Sequence, residues 1–202
     1  FSFCFYDVKK NTYTLVRDRF GQKPLYYASD KNSFYFASEI KSLLVAGIKN
    51  DANFSAISDY LHRGKIDCSE QTLFKNIIQL EPGSYVQVKN SKIQCKNKWY
   101  NVEDKSKINL FKNIKERNLY INHTLTRVCE EHLNSDTDIG VKLSGGLDSS
   151  TMLASMEENK KYLSNSCFSV DFGSSFSEKE WIQDTASYFG KNSIISSYNI
   201  KD

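Results

Sequence analysis

The stretch GVKLSGGLDSSTML, residues 140–153, decides how this chain folds. On its left, Ile139, Val141 and Leu143 alternate with small or polar residues, the period-two signature of a strand. On its right, Met152, Leu153 and Met156 recur at helical spacing. Two glycines, an aspartate and three hydroxyls lie between. A strand that passes through glycines into a helix lets backbone N–H groups converge at the positive end of the helix dipole, an arrangement suited to an anion.

Downstream, CFSVDF (167–172) reads as a second strand, and Ser177 with Glu180 forms a capping box ahead of Trp181, Ile182, Ala186 and Phe189. Gly190 closes that helix, and SIISSYNI (193–200) is strand-like. Strand, helix, strand, helix, strand is the alternation of a parallel sheet. Three strands are too few to finish one, so the chain is expected to be cut on its C-terminal side. Upstream, Ile114, Ile121, Leu125, Val128 and Leu133 recur at helical spacing. The charged stretch Asn101 to Asn109 reads as a linker, which puts a domain boundary near residue 105.

Before that boundary the style differs. FSFCFYD (1–7) and TYTLVRD (12–18) flank the polar turn at Lys9, Lys10 and Asn11 and predict a hairpin. PLYYAS (24–29) and SFYFAS (33–38) predict another across Asp30, and EPGSYVQV with KIQCKNKWY a third across Lys89, Asn90 and Ser91. Short helices are expected around Ile40, Leu43 and Leu44, with Gly47 beyond, and around Ala56, Ile57, Tyr60 and Leu61, ended by Gly64. The apolar first strand and the start at Phe1 suggest a piece of a longer protein.

Composition narrows the class. The chain has 202 residues, a net charge of +3 with both signs interleaved, and five scattered cysteines without a C-x-x-C pair. No basic stripe suits nucleic acid or an anionic membrane, and no run approaches a membrane span. Neither a disulfide framework nor a zinc site is implied, and a reducing cytoplasm fits.

The glycine loop lacks the lysine of G-x-x-x-x-G-K-[ST] and the spacing of G-x-G-x-x-G. Asp148 tells more. A carboxylate among phosphate-binding amides repels the ligand unless a divalent cation lies between, so Asp148 predicts Mg²⁺ shared with phosphates, with Ser144 and Ser149 donating to phosphate oxygens. The competing reading is an ordinary tight turn in which Asp148 and Ser149 cap the helix.

The string SGGLDS (144–149) resembles the pyrophosphate loop of ATP pyrophosphatases. With RDRFGQKPLYYA (17–28), FASEIKSLL (36–44), TLFKNIIQLEPGSYV (72–86) and KLSGGLDSS (142–150) in that order, the chain resembles the glutamine-hydrolysing asparagine synthases over nearly its whole length. The resemblance implies a fold of α/β and α+β class in two partial domains. Residues 1–104 would be the latter half of an N-terminal-nucleophile αββα glutaminase domain with its connecting segment. Residues 105–202 would open a parallel-sheet ATP pyrophosphatase domain of the PP-loop type.

It further implies an ATP-dependent carbon–nitrogen ligase that forms asparagine from aspartate and glutamine through an aspartyl-adenylate, with ATP and Mg²⁺ as cofactors and a homodimer left open. Leu143, Ser144, Gly145, Gly146, Asp148, Ser149 and Val170 are carried over as nucleotide contacts, Asp148 also as the magnesium ligand. Leu143 and Val170 would act through backbone groups that read adenine; for Val170 a buried strand residue is the alternative. The family's N-terminal cysteine nucleophile is not matched, so no catalytic residue is assigned and the chain alone is expected to be inactive. Sequences of this design also amidate other acceptors, as in surface-polysaccharide pathways, and a non-catalytic nucleotide-binding relative is the rival from another class.

Other residues weigh less. Cys4 among three phenylalanines reads as packing. Arg17, Asp18, Arg19 and Lys23 around Gly21 either face the other domain or form a solvated, mutually screened cluster. Glu39 and Lys41 read as helix surface, and His62, His123 and His132 as incidental. The series Tyr26, Tyr27, Phe34, Tyr35 and Phe36 reads as core.

Overall fold

The structure is a computed structural model that describes residues 1–65, 69–102, 111–157, 163–173 and 177–198. The chain forms two compact units, Phe1–Lys107 and Ile108–Asp202, of mixed α/β composition. The boundary expected at residue 105 and most of the expected linker lie outside the described residues.

In the first unit β1 (Ser2–Asp7) and β2 (Thr12–Arg17) form the expected hairpin, with Asn11 at a φ of 51° in its turn. Asparagine tolerates this left-handed conformation. β3 (Tyr26–Ser29) pairs with β4 (Phe34–Ala37), followed by α1 (Ile40–Val45) and α2 (Phe54–Arg63). The side chain of Asn53 caps α2, and Gly64 ends it at a φ of 62°. β5 (Ile78–Gln79) pairs with β3, and β6 (Ser84–Lys89) with β7 (Lys92–Lys98). Two antiparallel sheets result, ordered β1-β2-β6-β7 and β4-β3-β5.

Alternation explains how they stack. Leu15, Val86 and Val88 of the first sheet are fully or nearly fully buried against Tyr27 of the second, with Leu25 and Leu80. Each such side chain contributes roughly 2 kcal/mol on burial. On the other side of β3, Ala28 packs with Leu43 of α1 and Ile77, joined by Tyr26, Tyr35 and Phe74. The layers are sheet, sheet, helix. Four of the five aromatics read as core do pack, while Phe36 is 44% exposed. Cys4 packs against the first cluster, and burial raises its thiol pKa.

The charged turn after β2 departs from expectation, because Arg17 and Asp18 are buried rather than solvated. Arg17 donates to the carbonyls of Lys23 (2.9 Å), Leu80 (2.6 Å) and Gly21 (2.8 Å). Asp18 accepts the N–H groups of Phe20 (3.1 Å), Gln22 (3.0 Å) and Lys23 (2.9 Å). Burial alone would raise the Asp18 carboxyl pKa, but these N–H groups, together with the Phe1 ammonium 3.3 Å away, outweigh it and lower it from 3.8 to about 2. The cluster is the internal skeleton of the turn.

In the second unit α3 (Ile114–His132) starts at Asn113, whose side chain accepts the N–H of Glu116 at 2.9 Å. β8 (Ile139–Lys142), α4 (Leu147–Glu157), β9 (Leu163–Asp171), α5 (Lys179–Tyr188) and β10 (Asn192–Ser197) follow. The strands are parallel in the order β10-β9-β8. Cys129 and Leu133, Val141 and Leu143, Leu153 and Met156, Cys167, Ile182 and Ala186 form one core, so α3, α4 and α5 cover a single sheet face. On the opposite face Phe168, Val170 and Ile194 are about half exposed. The Phe168 ring lies over Gly140, where an added Cβ would come within 2.5 Å of it.

The capping box expected of Ser177 and Glu180 does not form. The Ser177 hydroxyl accepts the N–H of Lys179 at 3.4 Å, and the N-cap falls on Glu178, which makes no side-chain cap. The helix begins one residue later than the box requires, and the serine closes a local turn instead. Gly190 ends α5 as expected, at a φ of 63°. Among the described residues no helix is long and apolar enough to cross a membrane.

Candidate functional site

Every residue singled out in the glycine stretch lies at the carboxyl end of β8. Leu143 is buried, and its N–H donates to the Phe168 carbonyl at 3.0 Å, the last rung between β8 and β9. Ser144, Gly145 and Gly146 turn the chain, and α4 starts at Leu147 with Asp148 in its first turn. The positive end of that helix and its unpaired N–H groups therefore face the loop.

Gly145 is required twice over. Its φ is 76°, and an added Cβ would lie 2.7 Å from Trp181 Cβ and 2.9 Å from the Ile182 nitrogen. The loop thus rests directly on the first turn of α5. At Gly146 an added Cβ would meet only the Ser144 hydroxyl, at 3.5 Å.

The two hydroxyls satisfy one another. Ser144 Oγ lies 3.0 Å from Ser149 Oγ, which accepts the Ser144 N–H at 3.2 Å and donates to the Gly146 carbonyl at 3.2 Å. Gly146 N–H donates to Ser144 Oγ at 3.4 Å. All of these lie at or beyond the long end of the range for their kind, and an oxyanion would compete well for the same donors. Asp148 and Ser149 lie within the first turn of α4, and the Ser149 hydroxyl bonds back to the loop.

The Asp148 carboxylate is exposed and engages no hydrogen bond or ion pair among the described residues. Nor does any group of three His, Cys, Asp or Glu side chains gather there or elsewhere among them. A magnesium ion held at Asp148 would take its other ligands from phosphate oxygens and water, as that ion commonly does. Val170 is 51% exposed near the end of β9, on the sheet face opposite the helices. The glycine stretch and Val170 approach one another through β8–β9 pairing.

Reasoning from the sequence missed two neighbours. Trp181 backs Gly145, and Ser169, buried in β9, donates its hydroxyl to the Leu143 carbonyl at 2.6 Å. A serine between Phe168 and Val170 in an apolar strand was the available signal, because a buried hydroxyl must find a partner. A cleft of about 490 Å³ lies in the first unit among Arg19, Phe20, Glu81, Lys98 and Tyr100. Its charges are already engaged: Lys98 pairs with Glu81 at 3.5 Å, and Arg19 lies over the Tyr100 ring at 5.4 Å.

A parallel sheet whose strand runs through a glycine turn into a helix is the architecture of α/β domains that seat anionic ligands at the carboxyl ends of their strands. Comparison with known proteins gives the family. Residues 1–100 match the glutamine amidotransferase domain, and residues 120–200 match asparagine synthase. A protein of Methanocaldococcus jannaschii provisionally named asparagine synthetase (glutamine-hydrolyzing) 2 is 31% identical over 192 residues, covering 93% of this chain and 36% of the relative. Asparagine synthetase (glutamine-hydrolyzing) 3 of Bacillus subtilis is 28% identical, covering 94% and 33%. An amidase of Gibberella zeae is 26% identical, covering 94% and 30%. The chain belongs to the glutamine-hydrolysing asparagine synthase family. It spans about a third of the length of these relatives.

Proposed function

We propose that the chain is part of a glutamine-dependent asparagine synthase, in which aspartate, ATP and glutamine become asparagine, AMP, pyrophosphate and glutamate through an aspartyl-adenylate. The sheet–sheet–helix unit is read as the latter half of an αββα glutaminase domain, residues 1–104. Residues 105–202 are read as the opening of the PP-loop synthetase domain. The observation that carries this reading is the glycine turn at the end of β8, pressed onto α5 and opening at the N-terminus of α4.

In this reading the amides after Leu143 hold the pyrophosphate portion of ATP, and Ser144 and Ser149 exchange their mutual bonds for phosphate oxygens. Asp148, exposed in the first turn of α4, would hold Mg²⁺ jointly with the phosphates, and the ion would supply charge neutralisation there. Leu143 and Val170 contact the adenine through backbone groups. Aspartate, glutamine and ATP are the partners; cytoplasmic location and a homodimer are part of the same proposal. A second reading, amide transfer to another acceptor, draws on the amidases among the relatives.

The test is exchange of labelled pyrophosphate into ATP by the full-length polypeptide. Aspartate-dependent exchange is expected, whereas exchange stimulated only by another carboxylate would favour the second reading. Asp148→Ala is expected to abolish exchange while glutamine hydrolysis stays measurable. Equal loss of both activities would remove the assignment of Asp148.

A further inference from the structure

β8 and β9 stay paired up to Lys142 opposite Phe168, and the last rung joins Leu143 N–H to the Phe168 carbonyl. In a parallel ladder the next rung would join Val170 N–H to the Leu143 carbonyl. That carbonyl is instead taken by the Ser169 hydroxyl at 2.6 Å, from a side chain only 9% exposed. Backbone groups of successive strand residues point to opposite neighbours. Phe168 and Val170 therefore both face the β8 side, while Asp171 faces the other way and accepts Tyr198 N–H at 2.7 Å. Because the ladder stops, the N–H and C=O of Val170 open onto the space beside Leu143 and Ser144 rather than onto a strand.

We infer that Ser169 is a positioning residue for the nucleotide base. Its hydroxyl holds the Leu143 carbonyl, ends the ladder one rung early and keeps the Val170 backbone available to a planar, hydrogen-bonding ring. The inference rests on the nucleotide reading of the glycine loop and deepens it. Alanine at 169 releases the carbonyl, and Val170 N–H is the donor next in register. The two strands then zip by one more rung and close the slot. Threonine keeps the hydroxyl on a side chain suited to a strand.

Two ligands separate the base from the phosphates. Titration calorimetry on the full-length polypeptide would use ATP with Mg²⁺ and inorganic pyrophosphate with Mg²⁺, comparing wild type with Ser169→Ala and Ser169→Thr. Ser169→Ala is expected to bind ATP roughly tenfold more weakly, the effect of one buried hydrogen bond. Pyrophosphate binding is expected to stay within about twofold of wild type, as it reads only loop amides. Threonine is expected to restore ATP affinity, and amide exchange at Val170 to slow in the alanine variant. ATP binding unchanged by alanine, equal weakening toward both ligands, or no slowing at Val170 would overturn the role of Ser169 alone. A wild type that binds neither ligand would overturn the nucleotide reading and this inference with it.

Discussion

Two turns in this chain use nearly the same ingredients and end in opposite states. The turn from Arg17 to Lys23 has a glycine at a φ of 64° and an aspartate; the loop from Ser144 to Ser149 has a glycine at a φ of 76° and an aspartate. In the first, Asp18 is filled by three backbone N–H groups and the Phe1 ammonium, and Arg17 by three carbonyls, so the polar capacity is taken up within the unit. In the second, two serines share long bonds, and Asp148 stands exposed without a partner among the described residues. Charge and glycine alone do not make a site. What marks one is polar capacity left over after the chain has satisfied itself.

The largest expected effect lies in the closed turn. Arg17→Met removes the donor to three carbonyls and is expected to cost roughly 3 to 5 kcal/mol in urea denaturation. A loss below about 1 kcal/mol would mean that water replaces the guanidinium there and that the turn is not self-contained.

Next comes the floor of the open loop. Gly145→Val must adopt a left-handed φ and displace the first turn of α5, with an expected loss of roughly 2 to 4 kcal/mol. Gly146→Ala has room and is expected to cost less than about 1 kcal/mol. Equal melting shifts in the two variants would contradict the close seating of the loop on Trp181.

The smallest effect is a pH dependence. Because folding lowers the Asp18 carboxyl pKa from 3.8 to about 2, its contribution is fully present above the ordinary value and fades as pH falls through that interval. The wild type is therefore expected to lose more stability than Asp18→Asn between these pH values. Parallel acid profiles would show that the three N–H groups and the Phe1 ammonium do not hold the charge.

Much of this architecture was legible because local chemistry and tertiary context agree. Gly64 ends α2, the Asn90–Ser91 turn takes left-handed φ values, and the alternation of Ile139, Val141 and Leu143 matches one buried sheet face. The glycine stretch was legible for the same reason, since only a strand-to-helix turn accommodates it. Three features were hidden. The burial of Arg17 and Asp18 depends on carbonyls and amides that no charge pattern reveals, including that of Leu80, distant in sequence. Ser177 and Glu180 have the right spacing, but α5 starts one residue later. On α3, Ile114 and Ile121 follow helical periodicity yet remain exposed, because periodicity identifies a helix and not what covers it.

The order β10-β9-β8 has a consequence for winding. Each step between consecutive strands travels in one direction, and α4 and α5 share a face. Among the described residues β8 pairs with β9 alone. With right-handed crossovers, a strand added beside β8 by reversing that direction would bring its helix over Phe168, Val170 and Ile194. The reversal would then fall at β8 itself, leaving Ser144 at the crevice where the sense of rotation changes.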